Sequence, residues 1–259
     1  MRTFYLMNDR DYWERVGKTY DEQVFDVFAA DRGRVIAARV EKMADKSVEA
    51  ADFGCGVGKF LPLLSRCFKR VRALDFSISC LVDGRRRHAS LSNVSFHQFD
   101  LCSDERGIPP VGFGISVNAL LTPDFGEQLA MFQSLARHIR RKGTLLLVVP
   151  SIESAQFVAD RYLQWNVRSG MTPARAMKAA CSSVRSRELN IAAHGVVEIG
   201  GSATKHHLRE ELTDRLSGVG FSVEEIVKVE YGWQTEFNDP PRWMKAPYPW
   251  DWCVVATRR

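Results

Sequence analysis

Residues 48–60 read VEAADFGCGVGKF, and this stretch decides the fold. Val48, Ala50, Ala51 and Phe53 make a short apolar run of strand type, Gly54-Cys55-Gly56-Val57-Gly58 a turn, and Phe60, Leu61, Leu63 and Leu64 the apolar stripe of a helix. Strand, glycine turn and helix form the front half of a βαβ unit, with the acidic Asp52 where the chain turns beneath a nucleotide-like cofactor. Taken alone, such a turn discriminates poorly, because glycine serves any φ > 0 position or close helix packing.

The neighbouring strands narrow the choice. Seventeen residues after Gly58, a second apolar run ends in Asp75, placed to accept hydrogen bonds from two ribose hydroxyls; twenty-five residues further, a third ends in Phe99-Asp100-Leu101. Three successive strands therefore carry a carboxylate, Asp52, Asp75 and Asp100, to one sheet edge. A dinucleotide-binding domain also pairs a glycine turn with an acidic second strand, but its GxGxxG spacing frees a helix N-terminus for pyrophosphate. The spacing here is GxGxG.

The 259 residues suffice for one large α/β domain, and 45% hydrophobic with 26% charged residues is ordinary for a globular chain. No apolar run approaches the roughly 20 residues of a membrane span. The N-terminus lacks the pattern of a secretion signal, so the expected location is cytoplasmic, with no membrane partner. The six cysteines form no CxxC pair and have no histidine at ligand spacing, which predicts reduced thiols and no metal site. The net charge of +5 comes with short basic clusters, Arg85-Arg86-Arg87 and Arg140-Arg141-Lys142, read as solvated helix ends rather than a nucleic-acid surface.

Along the chain, 1–46 carries helical spacing, including Tyr12, Trp13, Tyr20, Val24, Val27 and Phe28. Strands are expected at 49–53, 71–75, 94–99, 114–118 and 144–149, and helices near 59–68, 78–89 and 125–140, an alternation that predicts parallel strands with right-handed crossovers. Lys142-Gly143 reads as a helix stop before the buried strand LLLVV. Residues 151–190 read as helical, with Thr172-Pro173 starting a second segment. A strand at 196–199, a cap at Thr204, a helix at 208–216, and strands at 221–229 and 253–257 follow. The expected organisation is a single domain over 1–259: N-terminal helices 1–46, cofactor-binding core 47–150, insertion or lid 151–205, and sheet completion 206–259.

The set DFGCGVG, LDFS and FDL, followed by ISVNALL and RRKGTLLLVVPS, resembles the class I S-adenosylmethionine-dependent methyltransferases, most closely their small-molecule group. The resemblance implies a Rossmann-like α/β fold: a seven-stranded, mostly parallel sheet, helices on both faces, and one antiparallel inserted strand. Carried over by position, it implies that Gly54, Cys55 and Gly56 approach the methionine portion of S-adenosyl-L-methionine, with Asp52 shaping the turn. Asp75 holds the ribose, Phe76 packs on the adenine, Asp100 binds its amino group beside Leu101, and the backbone near Asn118 and Ala119 completes the methionine pocket.

For the acceptor, Tyr12, Trp13, Tyr20 and Trp165 are candidate walls, and His194, Glu198, His206 and His207 candidate bases. His206 and His207 read more naturally as exposed first-turn helix positions. Asn118-Ala119-Leu120 replaces the Asn/Asp-Pro-Pro-aromatic motif of amino-directed nucleic-acid enzymes, which makes a small molecule the expected methyl acceptor and nucleic acid an unfavoured one. The alternatives are an RNA methyltransferase and a non-catalytic S-adenosylmethionine-binding module.

Overall fold

Successive residues of a strand face opposite sides of a sheet, so a strand apolar at both parities must be covered on both. Leu145, Leu146, Leu147, Val148 and Val149 are all fully buried. The structure, a computed structural model, describes residues 14, 20–103, 107–183, 194–199 and 202–259. Tyr12 and Trp13 lie outside the described residues, as does most of the expected helical pattern before Tyr20.

The strands β1 (Asp45–Phe53), β2 (Phe68–Asp75), β3 (Val94–Gln98), β4 (Val111–Val117), β5 (Ile139–Pro150), β8 (Phe221–Glu230) and β9 (Trp250–Arg258) form one sheet in the order β3-β2-β1-β4-β5-β9-β8. β1 to β5 pair in parallel, while β9 runs antiparallel to both β5 and β8. This is the seven-stranded, mostly parallel sheet with one inserted antiparallel strand. The helices are α1 (Val35–Lys42), α2 (Leu61–Cys67), α3 (Ile78–Arg87), α4 (Phe125–His138), α5 (Ile152–Arg168), α6 (Pro173–Ser183) and α7 (Arg209–Gly218), preceded by single turns at Tyr20–Gln23 and Val27–Ala30. Ala50, Ile115, Leu146 and Val148 pack under α1 and α2, whereas Ala51, Leu74, Leu145 and Leu147 pack under α4 and α7. Helices therefore cover both faces.

Between α6 and α7 the chain makes a hairpin of β6 (Val196–Ile199) and β7 (Ser202–Lys205). The Lys205 amide donates to Leu121 O at 2.8 Å and the His207 amide to Pro150 O at 2.7 Å, tying this segment to the ends of β4 and β5. Aromatic contacts join α5 to the loop after β8: Phe157 with Trp233, and Tyr162 and Trp165 with Phe237.

Three local expectations are corrected. Lys142-Gly143 ends no helix: α4 stops at His138 and both residues lie inside β5, where Lys142 takes φ 61° in a bulge between the pairs Val111↔Ile139 and Phe113↔Thr144. A Cβ on Gly143 would stand 2.9 Å from Gly112 O, so this glycine serves close strand approach. Thr204 caps no helix but lies in β7, and α7 begins only at Arg209, after Leu208. His206 and His207 precede α7 and are buried rather than exposed, because the chain there runs between the ends of β4 and β5.

Candidate functional site

The chain leaves β1 at Phe53, and the next two amides, Gly54 and Cys55, both donate to Leu74 O, at 2.8 and 3.0 Å. That pairing bends the backbone over the end of β2. Gly54 has φ 79° and a Cβ there would stand 2.3 Å from Ala119 Cβ; Gly56 has φ 52° and its Cβ would stand 2.4 Å from the Tyr20 hydroxyl. Both positions thus need glycine for conformation and for space. Asp75 fastens the turn: Oδ2 accepts from the Gly56 amide at 2.8 Å and Oδ1 from the Ser77 amide at 2.9 Å. A carboxylate has about four lone-pair sites, so acceptor capacity remains for a hydroxyl donor.

Above this turn lies a cavity of about 1010 Å³, counting its open mouth. Its wall contains Asp52, Gly54, Cys55, Gly56, Asp75, Phe76, Asp100, Leu101, Asn118 and Ala119, the ten residues expected to hold a cofactor. They come together because parallel strands deliver their carboxyl ends to one edge, and β1 with β4 flank the switch point of the strand order. The opposite wall is the segment Tyr20 to Phe28, which presents Tyr20, Val24, Phe25, Val27 and Phe28. Lys59 bridges Asp21 and Asp26 of that segment at 2.5 and 3.0 Å, and Phe28 packs edge-on to Phe60 at 5.3 Å. Glu14 accepts from the Ile78 and Ser79 amides, joining the chain before this segment to α3.

Acidic character dominates the cavity. Asp52 is 2% exposed, its Oδ2 is buried without a partner among the described residues, and burial together with the nearby Asp75 pushes its carboxyl up to about 8. Burial raises Asp75 as well, against the lowering effect of its backbone donors. A buried carboxylate oxygen with nothing donating to it suits a cationic or N–H-bearing ligand.

Asn118 follows β4 with φ 47°, its amide bonded to Val148 O at 2.9 Å. Its Nδ2 donates to Asp251 Oδ2 at 3.0 Å, the same oxygen that accepts from the Tyr231 hydroxyl at 2.7 Å. Burial raises the Asp251 carboxyl, and it raises the Tyr231 phenol, which stays a donor. Neither Tyr231 nor Asp251 stands out in the sequence, since both owe their place to the antiparallel pairing of β8 with β9.

Of the acceptor candidates, Tyr20 lines the cavity. Trp165 does not: it packs on Phe237 at 5.6 Å. His194 is exposed, outside the lining, and its carbonyl accepts from Lys205 Nζ at 2.6 Å. His206 bonds Thr204 O through Nδ1, and His207 bonds Leu120 O through Nε2 at 3.2 Å. Burial holds His207 down at about 4, so it is neutral at pH 7. Glu198 lies in β6.

No family model and no curated protein matches the chain. Solved structures do. The chain is similar to an S-adenosylmethionine-dependent methyltransferase from Methanosarcina mazei (16% identity, TM-score 0.60, covering 85% of this chain and 96% of that one). It is also similar to the N-methyltransferase NodS from Bradyrhizobium japonicum in complex with S-adenosyl-L-homocysteine (11%, 0.62, 97% and 99%) and to DhpI in its SAH complex (18%, 0.58, 96% and 94%). At such identities the likeness is one of fold, and the chain has the fold of the class I S-adenosylmethionine-dependent methyltransferases.

Proposed function

We propose that this protein is an S-adenosylmethionine-dependent methyltransferase that acts on a small-molecule acceptor. The observation that carries the reading is the convergence, at one switch-point cavity, of the glycine turn with three strand-end carboxylates, one of them holding a buried oxygen without a donor among the described residues. The residues present fit the cofactor. Gly54 and Gly56 leave backbone exposed where any side chain would collide, Asp75 offers lone pairs for ribose hydroxyls, and Asp52 Oδ2 suits a cationic amino acid end. Phe76, Asp100 and Leu101 then face the adenine, and the backbone near Asn118 and Ala119 the methionine portion.

S-adenosylmethionine, when bound, supplies a methyl group made electrophilic by a sulfonium. The protein's part in an in-line displacement is to orient the acceptor lone pair and exclude water. The segment Tyr20 to Phe28 gives the cavity an apolar cover suited to both. A small acceptor fits the state of the basic cluster on α3: Arg86 and Arg87 are paired with Asp83, and Arg87 also with Asp21, so they offer little free charge to a polynucleotide.

Calorimetry with S-adenosylhomocysteine tests the cofactor. Asp75→Ala should weaken binding by about 1.5–3 kcal/mol, the loss of hydrogen bonds to a charged acceptor together with the loosened turn. Methyl-labelled S-adenosylmethionine added to a cell extract tests the acceptor. Label in the low-mass fraction is expected; label in RNA overturns the small-molecule reading.

A further inference from the structure

Tyr20 belongs to the segment that faces the glycine turn, and its hydroxyl lies against the backbone of Gly56, where an added Cβ would stand 2.4 Å from the phenol oxygen. The residue is half-buried and lines the cavity. Its hydroxyl is not sealed inside the protein, and among the described residues it makes no hydrogen bond. Burial, with Asp75, the thiols of Cys80 and Cys55, and Asp52 close by, holds the phenol well above its usual range, so it keeps its proton. An open hydroxyl that stays protonated is a donor to whatever acceptor enters the cavity.

The other donors around the turn are already committed. The amides of Gly54 and Cys55 go to Leu74 O, and that of Gly56 goes to Asp75. Cys55 Sγ, a weak donor, faces Gly56 O at 3.5 Å. Asn118 Nδ2 is bonded to Asp251, and the charge of Lys59 is spent between Asp21 and Asp26. The strand ends add Asp52, Asp75 and Asp100, all carboxyl groups. Such a wall accommodates the nucleoside and the ammonium of S-adenosylmethionine but opposes the α-carboxylate beside that ammonium. An anion taken out of water next to carboxylates needs a donor of its own.

We infer that the Tyr20 hydroxyl donates a hydrogen bond to the α-carboxylate of S-adenosylmethionine, so that Tyr20 reads the amino-acid end of the cofactor rather than walling the acceptor. The inference rests on the methyltransferase reading above. It divides the cofactor between two parts of the chain: the strand ends hold what is neutral or cationic, and the segment before β1 supplies the donor for what is anionic. The same segment is tied to the glycine turn by Lys59 through Asp21, next to Tyr20, so a bound carboxylate adds a second tie at this end.

Calorimetry on the full chain with three ligands tests the assignment: S-adenosylhomocysteine, its decarboxylated analogue, which keeps the amino group, and 5′-methylthioadenosine, which lacks the whole amino-acid end. Wild type should bind S-adenosylhomocysteine about tenfold or more tightly than the decarboxylated analogue, and Tyr20→Phe should weaken S-adenosylhomocysteine about tenfold, the loss of one hydrogen bond to a charged group. The other two ligands should stay within about twofold, so that the preference for the carboxylate closes. Equal losses for all three ligands place Tyr20 in support of the nucleoside site or of the fold and overturn the proposal. Unchanged S-adenosylhomocysteine affinity with lowered methyl transfer returns Tyr20 to the acceptor wall and overturns it as well. A selective loss in Lys59→Met that Tyr20→Phe does not show makes the lysine the donor, with the same consequence. Wild type that binds S-adenosylhomocysteine and 5′-methylthioadenosine without preferring the carboxylate sinks the Tyr20 assignment alone, whereas wild type that binds neither refutes the methyltransferase reading itself.

Discussion

Asp75 and Asp251 are both buried carboxylates at the same sheet edge, 7% and 8% exposed, yet they are held in opposite ways. Asp75 is gripped by backbone amides of Gly56 and Ser77, which the glycine turn and the start of α3 supply wherever a βαβ unit forms. Asp251 is gripped by the side chains of Asn118 and Tyr231, 133 and 20 residues away in sequence. Backbone partners come with local geometry and leave little to vary; side-chain partners exist only once distant strands have paired. The β1–β4 half of the edge is thus a cradle held by local geometry, and the β8–β9 half is held by contacts between distant strands.

The cradle should break most sharply. Gly54→Ala forces a non-glycine residue to φ 79° and sets a methyl group 2.3 Å from Ala119 Cβ. A destabilisation of about 3 kcal/mol is expected, with loss of measurable S-adenosylhomocysteine binding. Urea denaturation and calorimetry on the same samples check it, and near-native values for both would show that the turn relaxes freely.

The distant half should yield less. Tyr231→Phe removes one of the two donors on Asp251 and is expected to cost about 1–3 kcal/mol, with S-adenosylhomocysteine affinity unchanged. An equal loss of affinity would erase the distinction between the two halves.

Acidity offers a finer probe. In the free protein Asp52 keeps its proton up to about pH 8, whereas in the unfolded chain it ionises near 4. The native state binds the extra proton between these values, so stability falls as pH rises through that window, with a slope of up to about 1.4 kcal/mol per pH unit from this residue. Asp52→Asn should flatten the urea midpoint between pH 5 and 8; an unaltered slope would show that Asp52 is ionised throughout. The smallest effect is expected at His194. His194→Ala should leave methyl transfer within about twofold, since its side chain is exposed and lies outside the lining, and a loss beyond tenfold in a transfer assay would restore it as a candidate base.

How far the molecule was legible follows the same division. The glycine turn, Asp75 and Asp100 could be placed from spacing because parallel strands deliver their carboxyl ends together. All ten of the residues named for the cofactor line one cavity. Trp165 and His194 were misplaced as pocket residues because aromatic or basic character in an inserted segment says nothing of the direction it faces. Lys142-Gly143 was misread because a left-handed residue next to glycine ends helices and makes bulges alike, and only the register with β4 distinguishes the two.

By itself the sequence determined the βαβ core, the switch-point edge and the acidic strand ends, all consequences of period-two burial and of a turn that only glycine can make. Tertiary structure alone decided that Asp251 of β9 reaches Asn118, and that His206 and His207 are buried. These depend on contacts between residues far apart in the chain, whose closure is fixed by packing and leaves no mark in any local pattern.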